Sequence, residues 1–505
     1  MRLPFPDHVS IATVCYFAGT LCVIQLLQGT NPTFSLLSAG YIVVAAMAFN
    51  VGGGFTRTTG TFVFFNSVLG VIIGVCMKAY LGEPADSNLQ APVLTMGVYL
   101  AGMFMMLVAA FLSRRLATKN ALLGKMVTDA NMQTATVGCM VTAFLIFFAG
   151  FYVPSGNGTV SSALNQINRF APLAVMLGVL NTCRRSGGTR TINFPVLASA
   201  AFMFTIGVLN FSKEGMIAPF VCWLLAASSQ RFRVSRLQMS VIGVVAFFIF
   251  YYLIPYSQYG RTYKEEGVLF NVDTSLSLLS QLGYVREQYY ESSTEALEGR
   301  VQGYFNTPQG FFDRLEMISI DDALDNHTQQ FGPLGFYPVI QSFQNVVPHF
   351  IWPDKPILTS GNNFAHEIGL LSEEDTTTGV SFSSTAAAFH LGGWYGIFFL
   401  APAIWFLLFT IFDSLCGDIR KAPWGLLVML LFAHAAPEGD INSMIYTCFF
   451  GAFAIIFAAV VGAYVMPVIG TFFIGPEGIQ LRHGAPVRAI PGRLLPPASP
   501  ASSET

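Results

Sequence analysis

The chain has 505 residues, of which 53% are apolar, 14% aromatic and only 11% charged, and its net charge is −2. Soluble proteins carry about 25% charged residues, so a chain this poor in charge cannot cover soluble domain surfaces. That excludes most soluble enzymes, disordered tails and nucleic-acid binders. A mean hydropathy of +0.56 and repeated uncharged runs of about 20 residues point to an all-α polytopic membrane protein.

Twelve apolar spans are expected along the chain: 9–28, 34–51, 59–81, 91–112, 133–153, 162–182, 191–210, 214–230, 237–256, 386–412, 423–437 and 443–466. The first is too long for a signal peptide and lacks a small-residue cleavage site, so it is read as a retained helix. The connections alternate in charge. Arg57, then Arg114, Arg115, Lys119 and Lys125, then Arg184, Arg185 and Arg190, then Arg231, Arg233 and Arg236, then Arg420 and Lys421 fall on every second connection. The intervening ones at 29–33, 82–90, 154–161 and 438–442 carry no Lys or Arg. The positive-inside rule assigns the basic set, and both termini, to the cytoplasm.

Residues 1–256 are thus read as nine transmembrane helices, 257–385 as one large outer loop, 386–466 as three more helices and 467–505 as a cytoplasmic Pro/Ser-rich tail. The loop holds six Lys/Arg against 17 Asp/Glu. Apolar spacing predicts helix over 275–305 and 311–326. The second half, with PHFIWPDKPILTSGNNF, reads as ordered but irregular. Six of the eight cysteines sit inside apolar runs, and none makes a CxxC or Cys/His cluster, so they read as small buried hydrophobes.

The few remaining charges make a short list of candidate residues. Arg169 is expected inside the sixth span, roughly two turns below the outer surface. An ionisable residue there marks a site by default, here for a diphosphate or a carboxylate, with a structural ion pair as the alternative. Lys78 is explained by snorkelling from the end of its span. Lys213 and Glu214, in NFSKEGM, are either a helix start capped by Ser212 or part of the same anion site as Arg169. The loop supplies Arg261, Lys264, Arg286, Arg300, Arg314 and Lys355. Arg261 follows the ninth span directly, at interfacial height. His366 beside Glu367 could supply a general base or be a surface pair. Zinc is not expected, because His366 has no HExxH partner. His390, in AAFHLGGWYG, is either a satisfied core residue or a site residue. Glu438 and Asp440 read better as a turn at the interface than as a carboxylate pair.

This layout resembles the bacterial oligosaccharide repeat-unit polymerases, the O-antigen polymerase-like (Wzy-type) proteins, which are related to the O-antigen ligases. The resemblance covers roughly 165–400 and is carried by SKEGM at 212–216, FFDRLEMISIDDAL at 311–324, FIWPDKP at 350–356, GNNFAHEIG at 361–369 and TGVSFSSTAAAFHLGGWYG at 378–396. It implies a GT-C-like bundle of about twelve transmembrane helices with one large, partly helical periplasmic loop. The implied activity is a metal-independent glycosyltransferase with no cofactor, in the bacterial inner membrane. Its substrate would be a polyprenyl-diphosphate-linked oligosaccharide in the membrane lipid, and a chain-length regulator protein is the implied partner. Arg169, Lys213, Arg261 and Arg314 become diphosphate ligands, with Arg300, Lys355 and His390 as further substrate contacts and His366 or Glu367 as base. The chain departs from many relatives in carrying Lys213 where they have Arg. It also has Ala387 and Ala388 where they have an acidic residue. A glycan ligase is the competing enzyme and a twelve-helix transporter or flippase the competing class. The loop outside, after the ninth span, argues against the transporter.

Overall fold

The computed structural model describes residues 1–118, 120–124, 126, 129–150, 168–264, 271–296, 303–347, 352, 360–372, 374–376 and 378–475; the side chains of 292–296 and of Arg314 fall outside that set. Among these residues the structure is helical, with one isolated β-bridge between Arg2 and Arg233. The chain is an all-α polytopic membrane protein. Seven helices are long and apolar enough to cross a membrane: α2 Pro32–Val51, α3 Thr58–Leu81, α4 Pro92–Leu116, α5 Met132–Ala149, α9 Arg236–Tyr263, α15 Ser384–Cys416 and α17 Ile441–Ile474. Three shorter apolar helices join them, α1 Ile11–Leu27, α7 Phe194–Leu209 and α16 Trp424–Glu438. Helices α6 Phe170–Arg185 and α8 Lys213–Ser229 occupy the remaining two expected spans.

Local chemistry sets where these helices begin. Asn31 accepts from the Thr33 amide ahead of Pro32, and Asn193 accepts from the Val196 amide. Ser212 does the same for Gly215, and Ser235 with Gln238 forms a capping box. These side chains fill donors that a helix start leaves orphaned. Helices α5 and α17 cross at glycine contacts: a Cβ on Gly138 would lie 2.0 Å from the Met466 carbonyl oxygen, and one on Gly470 1.9 Å from that of Thr134. Gly138→Val is therefore expected to cost about 3 kcal/mol through overpacking, read as a fall in the unfolding midpoint of the detergent-purified protein.

The connections gather at two ends. At one end the Leu3 amide donates to Phe232 O (2.9 Å), Ile419 to Thr56 O (3.0 Å) and Leu123 to Leu415 O (3.0 Å), while Arg184 pairs with Asp129 at 2.6 Å. This is the basic set of connections. The other end carries 82–91, the 438–441 turn and the long connection that follows α9. That connection holds α10 Asn271–Ser280, α11 Leu282–Ala296, α12 Ile318–Phe331, α13 Tyr337–Asn345 and α14 Ser360–Glu367.

Several boundaries differ from expectation, among them the helix expected over 275–305, which is two helices ending at Ala296 with 303–305 non-helical. Helix α9 runs on to Tyr263, so the loop starts later than 257. Helix α17 runs to Ile474, so 467–474 belongs to a membrane helix and not to the tail. The stretch expected as helix over 311–326 is a short turn at Phe312–Arg314 followed by α12. In the irregular half, α13 and α14 are helical. The PDKPILT stretch and the tail beyond 475 lie outside the described residues.

The described part of the long connection is docked onto the bundle. Helix α3 widens to π geometry over Val68–Ile72, which takes carbonyls out of the α-helical ladder. The Gly70 carbonyl there accepts the Met317 amide at 2.8 Å. A Cβ on Gly74 would sit 2.8 Å from Glu316 Cβ, so glycine permits the approach. Tyr304 donates to Ala85 O at 2.7 Å, and Asn88 donates to Asn306 Oδ1 at 2.9 Å. Helix α15 bends at Gly393, whose φ of +58° suits glycine. The bend withdraws the partners of the carbonyls one turn back. The amides of Leu334 and Gly335 fill them, on His390 O and Leu391 O, both at 2.9 Å.

Candidate functional site

Helix α12 lies between α4 and α15 and brings polar groups to both. Its face carries Asp321, Asp322, Asp325 and Thr328, all under 5% exposed. Asp322 accepts from the amides of Gln90 and Ala91 and from Thr95 Oγ1 (2.8 Å). Asp321 accepts from Tyr99 Oη at 2.5 Å and from the Ser383 amide at 3.1 Å. These carboxylates therefore serve as docking points for the acidic loop. Burial pushes the Asp321 carboxyl up to about 6 and that of Glu316 up to about 7, with donors from Tyr99 and Ser383, and from Ser319, opposing the rise. Asp325 has no hydrogen-bond partner among the described residues.

One turn along α12 a second cluster forms. Thr328 Oγ1 is 2.8 Å from Leu324 O and 2.9 Å from His390 Nδ1. Its single proton goes to the carbonyl, so Nδ1–H of His390 donates to Thr328. That leaves His390 Nε2 facing Glu367 Oε2 at 3.0 Å, within ion-pair range though off the line of a hydrogen bond. His327 Nε2 lies 3.7 Å from the same oxygen. His390 is 1% exposed, whereas His327 and Glu367 are 22% and 29% exposed. Phe364 packs its edge on His390 at 4.7 Å, and Phe331 packs on His327 at 4.6 Å. Glu367 is thus held on its buried side by His390 and bounded on its open side by His327.

The two base candidates separate. His366 Nε2 donates to Asp375 O at 2.9 Å, beside Asn362 Nδ2, which donates to the carbonyls of Asp375 and Thr378. His366 braces the 375–378 segment, and Glu367 meets the histidines. His327 was not among the residues nominated from sequence. It falls just past the flagged FFDRLEMISIDDAL segment, and only the polar stripe of α12 hinted at it.

The expected cations are placed as follows. Arg169 immediately precedes α6, so it stands at the mouth of the helix and not two turns inside it. The expected depth came from starting the span at 162; residues 162–167 lie outside the described set. Arg169 is half-buried, within electrostatic reach of Glu214 and Tyr446. Lys213 is the first residue of α8, with Ser212 Oγ accepting the Gly215 amide at 3.1 Å as expected. Arg261 is exposed, in the last turn of α9. Arg314 closes the turn at Phe312–Arg314. Arg300 and Lys355 lie outside the described residues. Lys78 does not snorkel: its Nζ is fully buried, 2.9 Å from Glu83, 2.6 Å from Ser87 Oγ and over the Tyr304 ring at 5.0 Å. It pins the 82–91 connection.

The 438–446 region links the two groups. Tyr446 faces Arg169, while Asp440 accepts from Ser360 at the start of α14 and caps α17 through the Ser443 amide at 2.8 Å. Glu438 lies 3.4 Å from Ser381 Oγ. The turn reading of Glu438 and Asp440 accounts for these contacts. Among the described residues no three His, Cys, Asp or Glu side chains converge to hold a metal ion. No protein-family model, curated protein or solved structure matches the chain.

Proposed function

We propose that the chain is a glycosyltransferase that polymerises polyprenyl-diphosphate-linked oligosaccharide repeat units into a surface polysaccharide. In this reading it works at the periplasmic face of a bacterial inner membrane, with the basic end of the bundle in the cytoplasm. The observation that carries the reading is a half-open Glu367 set between two histidines, at the end of the bundle that also bears Arg169, Lys213 and Arg261. The acceptor sugar hydroxyl gives its proton to Glu367, with His327 beside it, and its oxygen bonds to the anomeric carbon of the donor. The bond from that carbon to the diphosphate breaks, and the polyprenyl diphosphate leaves with the electron pair. Arg169, Lys213 and Arg261 offset the charge that develops on it. His390 keeps the Glu367 carboxylate oriented, and Thr328 keeps His390 oriented.

The test is purified protein in nanodiscs with a polyprenyl-diphosphate-linked repeat unit. A ladder of lengthening products is expected, and Arg169→Ala is expected to lose it while protein yield and unfolding midpoint hold. No transfer under any condition overturns the enzyme reading. Single transfer to an added glycan acceptor, without a ladder, replaces polymerase by ligase.

A further inference from the structure

Three carboxyl groups within five residues of α12, Asp321, Asp322 and Asp325, are each no more than 1% exposed. They are not equivalent. Asp322 has three donors and Asp321 has two. Both oxygens of Asp325 are buried without a hydrogen-bond partner among the described residues. The groups that act on Asp325 are Asp321 and Asp322 from its own helix and Thr95 from α4. Tyr99 stands beside it on α4, with Tyr41 of α2 behind at 6.0 Å between rings. On α15, His390 turns its Nδ1 to Thr328 and its Nε2 to Glu367. No Lys or Arg is among the described groups that act on Asp325. A carboxylate with two like charges beside it, and for a neighbouring donor only the Thr95 hydroxyl, which already serves Asp322, is unfavourable, and it relieves this by taking a proton.

We infer that Asp325 is a buried proton-binding site, a neutral carboxylic acid whose ionisation releases α12 from α4 and α15. Helix α12 carries His327 and Thr328, so its docking sets the geometry around Glu367. The inference stands whether or not the glycosyltransferase reading holds.

The sign follows from linkage. The docked helix holds the Asp325 proton at pH values where the released helix, in water, has lost it. Release therefore expels one proton and becomes easier as pH rises. The lower windows are shared, because the Asp321 and Glu316 carboxyls are raised only to about 6 and about 7. The Asp325 carboxyl is raised well above its ordinary range by burial and by its two acidic neighbours. Above pH 7 Glu316 keeps a small and falling share, and the larger part of the dependence belongs to Asp325.

The test is hydrogen–deuterium exchange of the full-length protein in nanodiscs, read on peptides from 318–331 and corrected for the intrinsic rate. In the wild type, exchange of this segment is expected to rise about tenfold between pH 7 and pH 8, the value for release of one proton. In Asp325→Asn, an uncharged isostere, the rise is expected to shrink to about twofold or less over the same interval, the share left to Glu316. Equal pH dependence in both proteins, or none in the wild type, overturns the proposal. A parallel arm at fixed pH replaces sodium by choline. Protection that follows sodium assigns the site to a cation and overturns the proton assignment. Should Asp325→Asn fail to fold, a flat wild-type series, or protection that follows sodium, still overturns the proposal.

Discussion

Glu367→Gln is expected to lower glycosyl transfer by about a hundred- to ten-thousand-fold, the usual contribution of a general base, while the protein stays folded. Glutamine keeps the shape of the side chain and can still reach His390, 3.0 Å away from the present carboxylate. It cannot take a proton from an acceptor hydroxyl. The measurement is single-turnover transfer from a lipid-linked donor, with thermal unfolding run alongside. His366→Gln is the matched control: its ring donates to Asp375 O, so a loss of rate there should come with loosening of 375–378. If Glu367→Gln transfers at the wild-type rate, Glu367 is not the base.

The second large effect is on stability. Asp322→Ala removes the acceptor for the Gln90 and Ala91 amides and for Thr95 Oγ1. Thr95 retains Ala91 O as a partner, but the two amides do not. Leaving a buried donor empty costs about 1–3 kcal/mol; these two amides are only partly shielded, on an exposed Gln90 and a half-buried Ala91, so a loss of about 2 kcal/mol in all is expected. It should show as a lower denaturation midpoint and as faster exchange in 88–95 and 318–331 together. A change below about 1 kcal/mol would mean that Asp322 does not hold the loop to the bundle. The joint response of the two segments separates a docking contact from a local defect.

The membrane architecture was legible because hydropathy is a local signal. Over the described residues each of the twelve apolar runs falls on a helix, and the basic connections meet at one end as charge parity required. Capping was legible for the same reason: Ser212 announces α8 from within four residues. What stayed hidden is non-local. Nothing near Asp322 in sequence signals Gln90, and nothing near Met317 signals the π turn at Gly70. The excess of acid in the long connection looked unhelpful for binding an anionic substrate. Its buried members turn out to satisfy backbone and hydroxyl donors of other segments. The site was half legible. Glu367 was nominated, but its distinction from His366 depends on which side of α14 each faces. His327 reaches Glu367 only because α12 runs beside α15. The depth of Arg169 depended on where its helix starts, which an apolar run cannot fix.

The bend at Gly393 joins the end of the protein that carries the long connection to the membrane mechanically. Straightening α15 would restore its own ladder at His390 O and Leu391 O and expel the amides of Leu334 and Gly335. Those amides hold the chain just past the end of α12, where the Gly332 amide closes on Thr328 O at 2.9 Å. A long hydrophobic helix adapts to bilayer thickness by tilting or changing its kink. The thickness of the surrounding lipid therefore bears on the same joint that positions His390 and Thr328 against Glu367.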